Sequence, residues 1–191
     1  MSSAVPIAAP DVGAAEVEAL ERVVESGQLA DGEEVRRFEE EFAMFCGANY
    51  ASATTNGTTA LRLALEALDV GAGDKVITSP FSFVATANAV RHAGAEPVFA
   101  DVDPATLTLD PHAVERAARV HDVAAILPVH LYGHPARMDH LLDIAADHDL
   151  YVVEDACQAH GASFDGDRVG TLGDAAAFSF YPTKNVTAGE G

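Results

Sequence analysis

Lys184 sits in FSFYPTKNVTAGEG after the turn Tyr181-Pro182-Thr183, one of only two lysines in the chain. A lysine held among apolar groups and near other charges loses proton affinity, and a neutral amine can form a Schiff base. An isolated lysine is ordinarily a solvated surface charge. In TTNGTTALRLALEAL, small and polar residues run straight into a helical pattern. This predicts free amides on Gly57, Thr58 and Thr59 at a helix start, where N–H groups and the helix dipole bind a phosphate. A simple cap by Asn56 or Thr58 accounts for the same residues without a ligand. Asp155 closes the apolar run YVVED, and a carboxylate there needs a partner or a task. Pairing with a protonated ring nitrogen is one task; capping a loop or meeting an arginine is the bland alternative.

The elements that must position these residues alternate along the chain. An N-terminal helical segment, residues 1–48, holds two amphipathic patterns. DVGAAEVEALERVVESG offers Asp11 as an N-cap and Gly27 as a stop. EEVRRFEEEFAMFCG spaces Val35, Phe38, Phe42 and Phe45 by three and four. Each pattern predicts a helix with one buried face. From 49 to 191, six apolar runs alternate with segments of helical composition: 50–54, 75–79, 97–100, 123–129, 151–155 and 175–180. Such alternation predicts an α/β fold, with right-handed crossovers and a mostly parallel sheet covered by helices on both faces.

Functional side chains of an open parallel sheet collect beyond the carboxyl ends of its strands. That rule brings TTNGTT, PFSF, EDACQ and YPTKN to one edge. A phosphate cradle, a carboxylate, an aromatic residue and a lysine then share one site, the combination that pyridoxal phosphate requires. Asp155 would keep the pyridine protonated, Lys184 would hold the aldehyde, and Phe83 of PFSF would stack on the ring.

The ordered motifs NGTTALRLAL, GAGDKVITSPFSFVATANAV, GAEPVFADVDP, PVHLYGHPARMD, VVEDACQAHGA and GDAAAFSFYPTKNVTAGEG extend this reading over essentially the whole chain. In them the sequence resembles the DegT/DnrJ/StrS family of pyridoxal-phosphate sugar aminotransferases, within the aspartate-aminotransferase fold (fold type I). The resemblance implies that Lys184 forms the internal aldimine and moves protons, that Asp155 binds the pyridine nitrogen, and that Gln158 bonds the ring hydroxyl oxygen. It assigns the phosphate to Gly57, Thr58, Thr59 and Ser179, and ring stacking to Phe83. A related branch that deoxygenates sugars has histidine at the lysine position, so Lys184 favours amino transfer. The implied reaction takes glutamate or glutamine as donor and a nucleotide-linked keto sugar as acceptor, in a homodimer. The family pattern also continues past Gly191 with a glycine, a strand inserted antiparallel between the first and sixth strands, and a small C-terminal domain. Residues 49–191 are thus expected to be an incomplete large domain with an open slot between 50–54 and 175–180. Its activity would need a complementing chain; the alternative is a non-catalytic fragment with residual cofactor binding.

Composition excludes other classes. Against 30 Asp and Glu stand 11 Lys and Arg, nine of them Arg, for a formal net charge of −19. Such a field repels nucleic acid and anionic lipid surfaces, and it fits a solvated acidic surface or a salt-adapted source. Cys46 and Cys157 form no C-x-x-C pair, and MSSAVPIAAPDVG has no basic segment leading into an apolar run. A cytoplasmic protein without a membrane span is expected. His130, His134, His140 and His148 lack a helical ligand spacing and read as surface or loop histidines, with no metal. Asp101, Asp103 and Asp110 lack the glycine and glutamate of a calcium loop and read as turn residues.

Overall fold

The computed structural model describes Pro6 and residues 8–191; of the opening stretch read above for a leader, residues 1–5 and 7 lie outside the described residues. Two helices lead, α1 (Ala14–Ser26) and α2 (Glu33–Cys46), each ended by a left-handed glycine, Gly27 and Gly47. The cap of α1 differs from expectation: Gly13, not Asp11, is the N-cap, and its N–H donates to the Glu16 carboxylate at 2.6 Å. Nor does α1 bury a face, since Val17, Leu20 and Val24 are 63%, 66% and 69% exposed. Helix α2 does pack. Phe42 meets Phe178 and Phe180 edge-to-face at 5.0 and 5.2 Å.

The remainder alternates as expected: α3 (Gly57–Ala67), β1 (Lys75–Thr78), α4 (Ala85–His92), β2 (Glu96–Phe99), α5 (Pro111–Val120), β3 (Ala125–Leu127), α6 (Met138–His148) and β4 (Tyr151–Asp155). A small antiparallel hairpin, β5 (Ser163–Phe164) with β6 (Asp167–Arg168), precedes β7 (Ala175–Ala177). The main sheet is wholly parallel in the order β2-β1-β3-β4-β7. Residues 50–54, expected as the first strand, form none. An apolar run becomes a strand only beside a ladder partner, and here the Ala53 N–H donates instead to Glu39 at 2.7 Å.

Strand alternation builds two cores. Ile77, Ile126 and Val152 face one side, with Val114, Met138 and Leu141 from the α5 and α6 region. Val76, Ala125, Leu127 and Val153 face the other, with Leu61 and Leu65 of α3 and Val90 of α4. Continuous apolar strands suit a sheet buried on both faces. Helix starts follow their caps: Asn56 Oδ1 accepts from Thr59 N at 2.9 Å, and Asp110 Oδ1 accepts from His112 N at 2.9 Å ahead of Pro111.

The same alternation sends Glu154 and Asp155 to opposite faces. Glu154 is completely buried and accepts four bonds: His130 Nε2 at 3.0 Å, and the amides of Gly170, Leu172 and Gly173 at 2.9 Å each. Burial alone would raise its pKa, but His130 and the Gly173 and Gly170 amides outweigh it and hold the carboxyl below its ordinary value. A depressed carboxyl contributes stability that is present above the unfolded pKa and lost as pH falls through the folded one. Urea unfolding midpoints should therefore decline as the solution is acidified below the ordinary 4.5. Glu154→Gln should be less stable at neutral pH and show a shallower acid decline. Gly173 tests the packing beside it, because a Cβ there would stand 2.5 Å from the Val152 carbonyl oxygen. Gly173→Ala should cost about 2 kcal/mol by denaturant unfolding.

Candidate functional site

Past the carboxyl ends of β1, β4 and β7 the expected residues converge. Asp155 ends β4 and is only 5% exposed. Its Oδ2 accepts from Thr86 Oγ1 at 2.7 Å and its Oδ1 from the Cys157 N–H at 3.3 Å. Thr86 is itself 1% exposed on α4 and lies 2.8 Å from Ser82 Oγ. Because the Thr86 hydroxyl donates to Asp155, the bond from Ser82 must run toward Thr86, giving a relay Ser82–Thr86–Asp155. Among the described residues no lysine, arginine or histidine forms an ion pair with Asp155. The bland reading through an arginine is therefore not what the structure contains.

Gly57 opens α3 against the chain that carries Ser179. A Cβ on Gly57 would lie 2.8 Å from Cys157 Sγ and 3.1 Å from Ser179 Cβ, so only glycine permits this approach. Of the three amides expected to be free, Thr59's is taken by the Asn56 cap, while those of Gly57 and Thr58 have no protein partner among the described residues. The cap by Asn56 is thus present, and it leaves the other two amides of the first turn unpaired among the described residues. Ser179 is buried, and its hydroxyl donates to the Gly191 carbonyl at 3.4 Å.

Lys184 is half-buried in the turn after β7, where its N–H donates to Tyr181 O at 2.9 Å. Its charge acts on two neighbours, Cys157 and His160. Burial, then the Asp155 charge, pushes the Cys157 thiol far up, so it stays protonated and is no nucleophile. Burial lowers the His160 pKa, opposed by the Ser179 backbone and aided by Lys184. Both His160 ring nitrogens are buried without a hydrogen-bonding partner among the described residues.

Gln158 is half-buried, and its Oε1 accepts from the Tyr132 N–H at 2.9 Å. Phe83, by contrast, is 67% exposed in the loop before α4, with its carbonyl accepting from Thr86 N at 3.1 Å. It meets no other aromatic ring among the described residues. The sequence reading missed Thr86, Ser82 and the His130–Glu154 pair. The usable signal for Thr86 was its place one turn past PFSF on a helix that starts at the same sheet edge. Of the reading of His130 as a surface or loop histidine, the loop part holds and the surface part is corrected: it follows β3 in a loop but is completely buried on Glu154. Among the described residues no group of three or more His, Cys, Asp or Glu is arranged to hold a metal ion, and no helix is long and apolar enough to cross a membrane.

This sheet, with helices on both faces and a lysine and carboxylate at one edge, is the large-domain architecture of the fold type I aminotransferases. The structure superimposes on an aminotransferase from Psychrobacter cryohalolentis with a TM-score of 0.89 at 44% identity, covering 95% of this chain and 46% of that one. A sugar aminotransferase from Streptococcus pneumoniae in its PLP-form gives 0.92 at 27% identity, over 97% and 51%. More narrowly, the model of the DegT/DnrJ/EryC1/StrS aminotransferase family matches residues 10–191, and the chain belongs to that family. It is 46% identical to the spore coat polysaccharide biosynthesis protein SpsC of Bacillus subtilis over 97% of this chain and 48% of that protein. It is also 46% identical to the dTDP-3-amino-3,4,6-trideoxy-alpha-D-glucose transaminase of Streptomyces venezuelae, over 88% and 44%. The chain thus spans about half the length of the curated relatives it matches.

Thr86→Val keeps the shape of the side chain and removes the donor to a buried carboxylate. The expected loss is about 2 kcal/mol of stability in denaturant unfolding at neutral pH, the scale of a hydrogen bond to a charged group.

Proposed function

We propose that these residues form the cofactor-binding half of a pyridoxal-phosphate-dependent aminotransferase, which passes an amino group from glutamate or glutamine to a nucleotide-linked keto sugar. The observation that carries the cofactor reading is Asp155: a nearly fully buried carboxylate with two neutral donors and no cationic partner among the described residues. A buried carboxylate in that state fits a protonated ring nitrogen. The glycine-only approach at Gly57 and the unpartnered amides of Gly57 and Thr58 fit a phosphate at the other end.

When bound, pyridoxal phosphate supplies an aldehyde for amine exchange and a pyridinium ring that withdraws electrons. Asp155 would hold the ring proton, with Thr86 and the Cys157 amide fixing the orientation of its Oδ atoms. Lys184 would hold the aldehyde end, with release of water, and would be the base that moves a proton at the substrate carbon. Gly57, Thr58, Thr59 and Ser179 would hold the phosphate, Thr59 through its hydroxyl because its amide is occupied by the cap. Phe83 would stack on the ring, and Gln158 would bond the ring oxygen. The sugar reading draws on the Streptomyces venezuelae relative, named as a transaminase of a dTDP-linked amino sugar. A homodimer in the cytoplasm completes the proposal, consistent with an acidic surface that disfavours nucleic acid and membranes.

A second reading has these residues bind the cofactor without turning over a sugar. Pyridoxal phosphate added to the purified protein should give a visible band, which borohydride fixes onto the Lys184 peptide in a mass map. Lys184→Ala should abolish that label. No band, or a label that survives the substitution, would falsify the cofactor assignment; a band without amino transfer to any nucleotide-linked keto sugar supports the second reading.

A further inference from the structure

We propose that the buried His130–Glu154 pair is a positioning device for Gln158, acting through the loop it closes. This rests on the cofactor reading above and extends it to residues that reading leaves without a role.

The geometry fixes each proton in turn. Ala136 N–H can only donate, and it lies 3.0 Å from His130 Nδ1, so Nδ1 carries no proton. The ring proton is therefore on Nε2, which donates to Glu154 Oε2 at 3.0 Å. Both side chains are completely buried, and Glu154 is anchored by the amides of Gly170, Leu172 and Gly173. The ring of His130 thus closes the loop from 130 to 136 on itself. Within that loop Tyr132 is held at φ 54, ψ 26, a left-handed conformation that a tyrosine does not adopt unaided. Tyr132 is 76% exposed, and its N–H donates to Gln158 Oε1 at 2.9 Å, which holds the backbone there.

That bond decides which way Gln158 points. A backbone N–H demands the amide oxygen, which fixes the orientation of the Gln158 amide and turns its NH2 away from Tyr132. Gln158 is then a donor, and not an acceptor, toward a ring oxygen. His130 also ties this loop to the site directly, because its backbone N–H donates to the Asp155 carbonyl at 3.0 Å. The pair accordingly sets the carboxylate and the amide donor in one frame.

Glu154→Gln leaves one acceptor oxygen for four donors: its NH2 faces either the Nε2–H of His130 and the Gly170 amide or the amides of Leu172 and Gly173, and in either orientation the anchoring of the His130–Glu154 pair is broken on one side. The loop is then released and Gln158 is free to turn. A donor on the ring oxygen lowers that oxygen's hold on the proton it shares with Lys184 Nζ, so losing the donor raises the pH at which the bound cofactor changes colour.

The test is a double-mutant cycle on the pyridoxal-phosphate-loaded protein, read as the pH midpoint of the absorbance change. Glu154→Gln and Gln158→Leu should each raise the midpoint by about one pH unit, the worth of a hydrogen bond to a charged group. The double substitution should raise it no further than Gln158→Leu alone. An unmoved midpoint in Glu154→Gln, or additive shifts, overturns the proposal. If Glu154→Gln does not fold by circular dichroism, His130 carries the test: His130→Leu, which removes the bonds to both Glu154 and Ala136, should raise the midpoint as Gln158→Leu does, and an unmoved midpoint overturns the proposal. Without cofactor, the Tyr132 amide should exchange about tenfold faster in Glu154→Gln or His130→Leu than in the wild type. Unchanged exchange refutes the loop role even where the cofactor reading holds, and a wild-type protein that never labels at Lys184 removes the cofactor reading while the exchange result still reports on the loop.

Discussion

Two consecutive carboxylates, Glu154 and Asp155, are buried where β4 ends, and the arrangement around the sheet edge follows from how each is compensated. A charge taken out of water is tolerated only with donors around it. Glu154 receives a complete set: one imidazole and three backbone amides, drawn from the 170–173 turn and the loop after β3. Asp155, on the opposite face, receives a hydroxyl and one amide. The first carboxylate closes structure around itself; the second is left with capacity that a bound cation can use. Strand geometry enforces the division, since neighbouring side chains in a strand point to opposite faces.

A second constraint is distance. The start of α3 lies against the chain leading to Lys184, and Gly57 permits this by having no side chain to collide with Cys157 and Ser179. The cap by Asn56 fixes the first turn by engaging the Thr59 amide, and the amides of Gly57 and Thr58 are left without a protein partner among the described residues. In the proposed function, helix start and ligand cradle would be a single device. The Cys157 thiol fills the space behind it as a small apolar group, consistent with a pKa pushed well up by burial.

What was legible in the sequence was whatever depended on near neighbours along the chain. The apolar runs at 75–79, 123–129 and 151–155 became β1, β3 and β4 because burial on both faces leaves an unbroken hydrophobic signature. Gly27 ends α1 and Asp155 ends β4, both local punctuation. The failures depended on partners far away in sequence. Residues 50–54 have strand composition but no ladder beside them, and the stripe on α1 has helical spacing but nothing to cover it. His130 and Glu154 are 24 residues apart, and Thr86 and Asp155 are 69 apart. No local pattern marks those pairs, because threonine and histidine on apolar elements look alike whether or not a carboxylate meets them.

The charge of the chain bears on how such a site would hold an anion. A net charge of −19 repels phosphate at long range, yet the proposed cofactor and sugar both carry phosphate. Beyond about 8 Å at physiological salt that repulsion is largely screened. In the proposed site, two amides at the start of α3, without a protein partner among the described residues, would act at contact distance and lose little to screening. The same separation of scales explains why a composition that disfavours nucleic acid does not disfavour a phosphorylated ligand: a polyanion meets the whole field, and a single phosphate meets only the groups beside it.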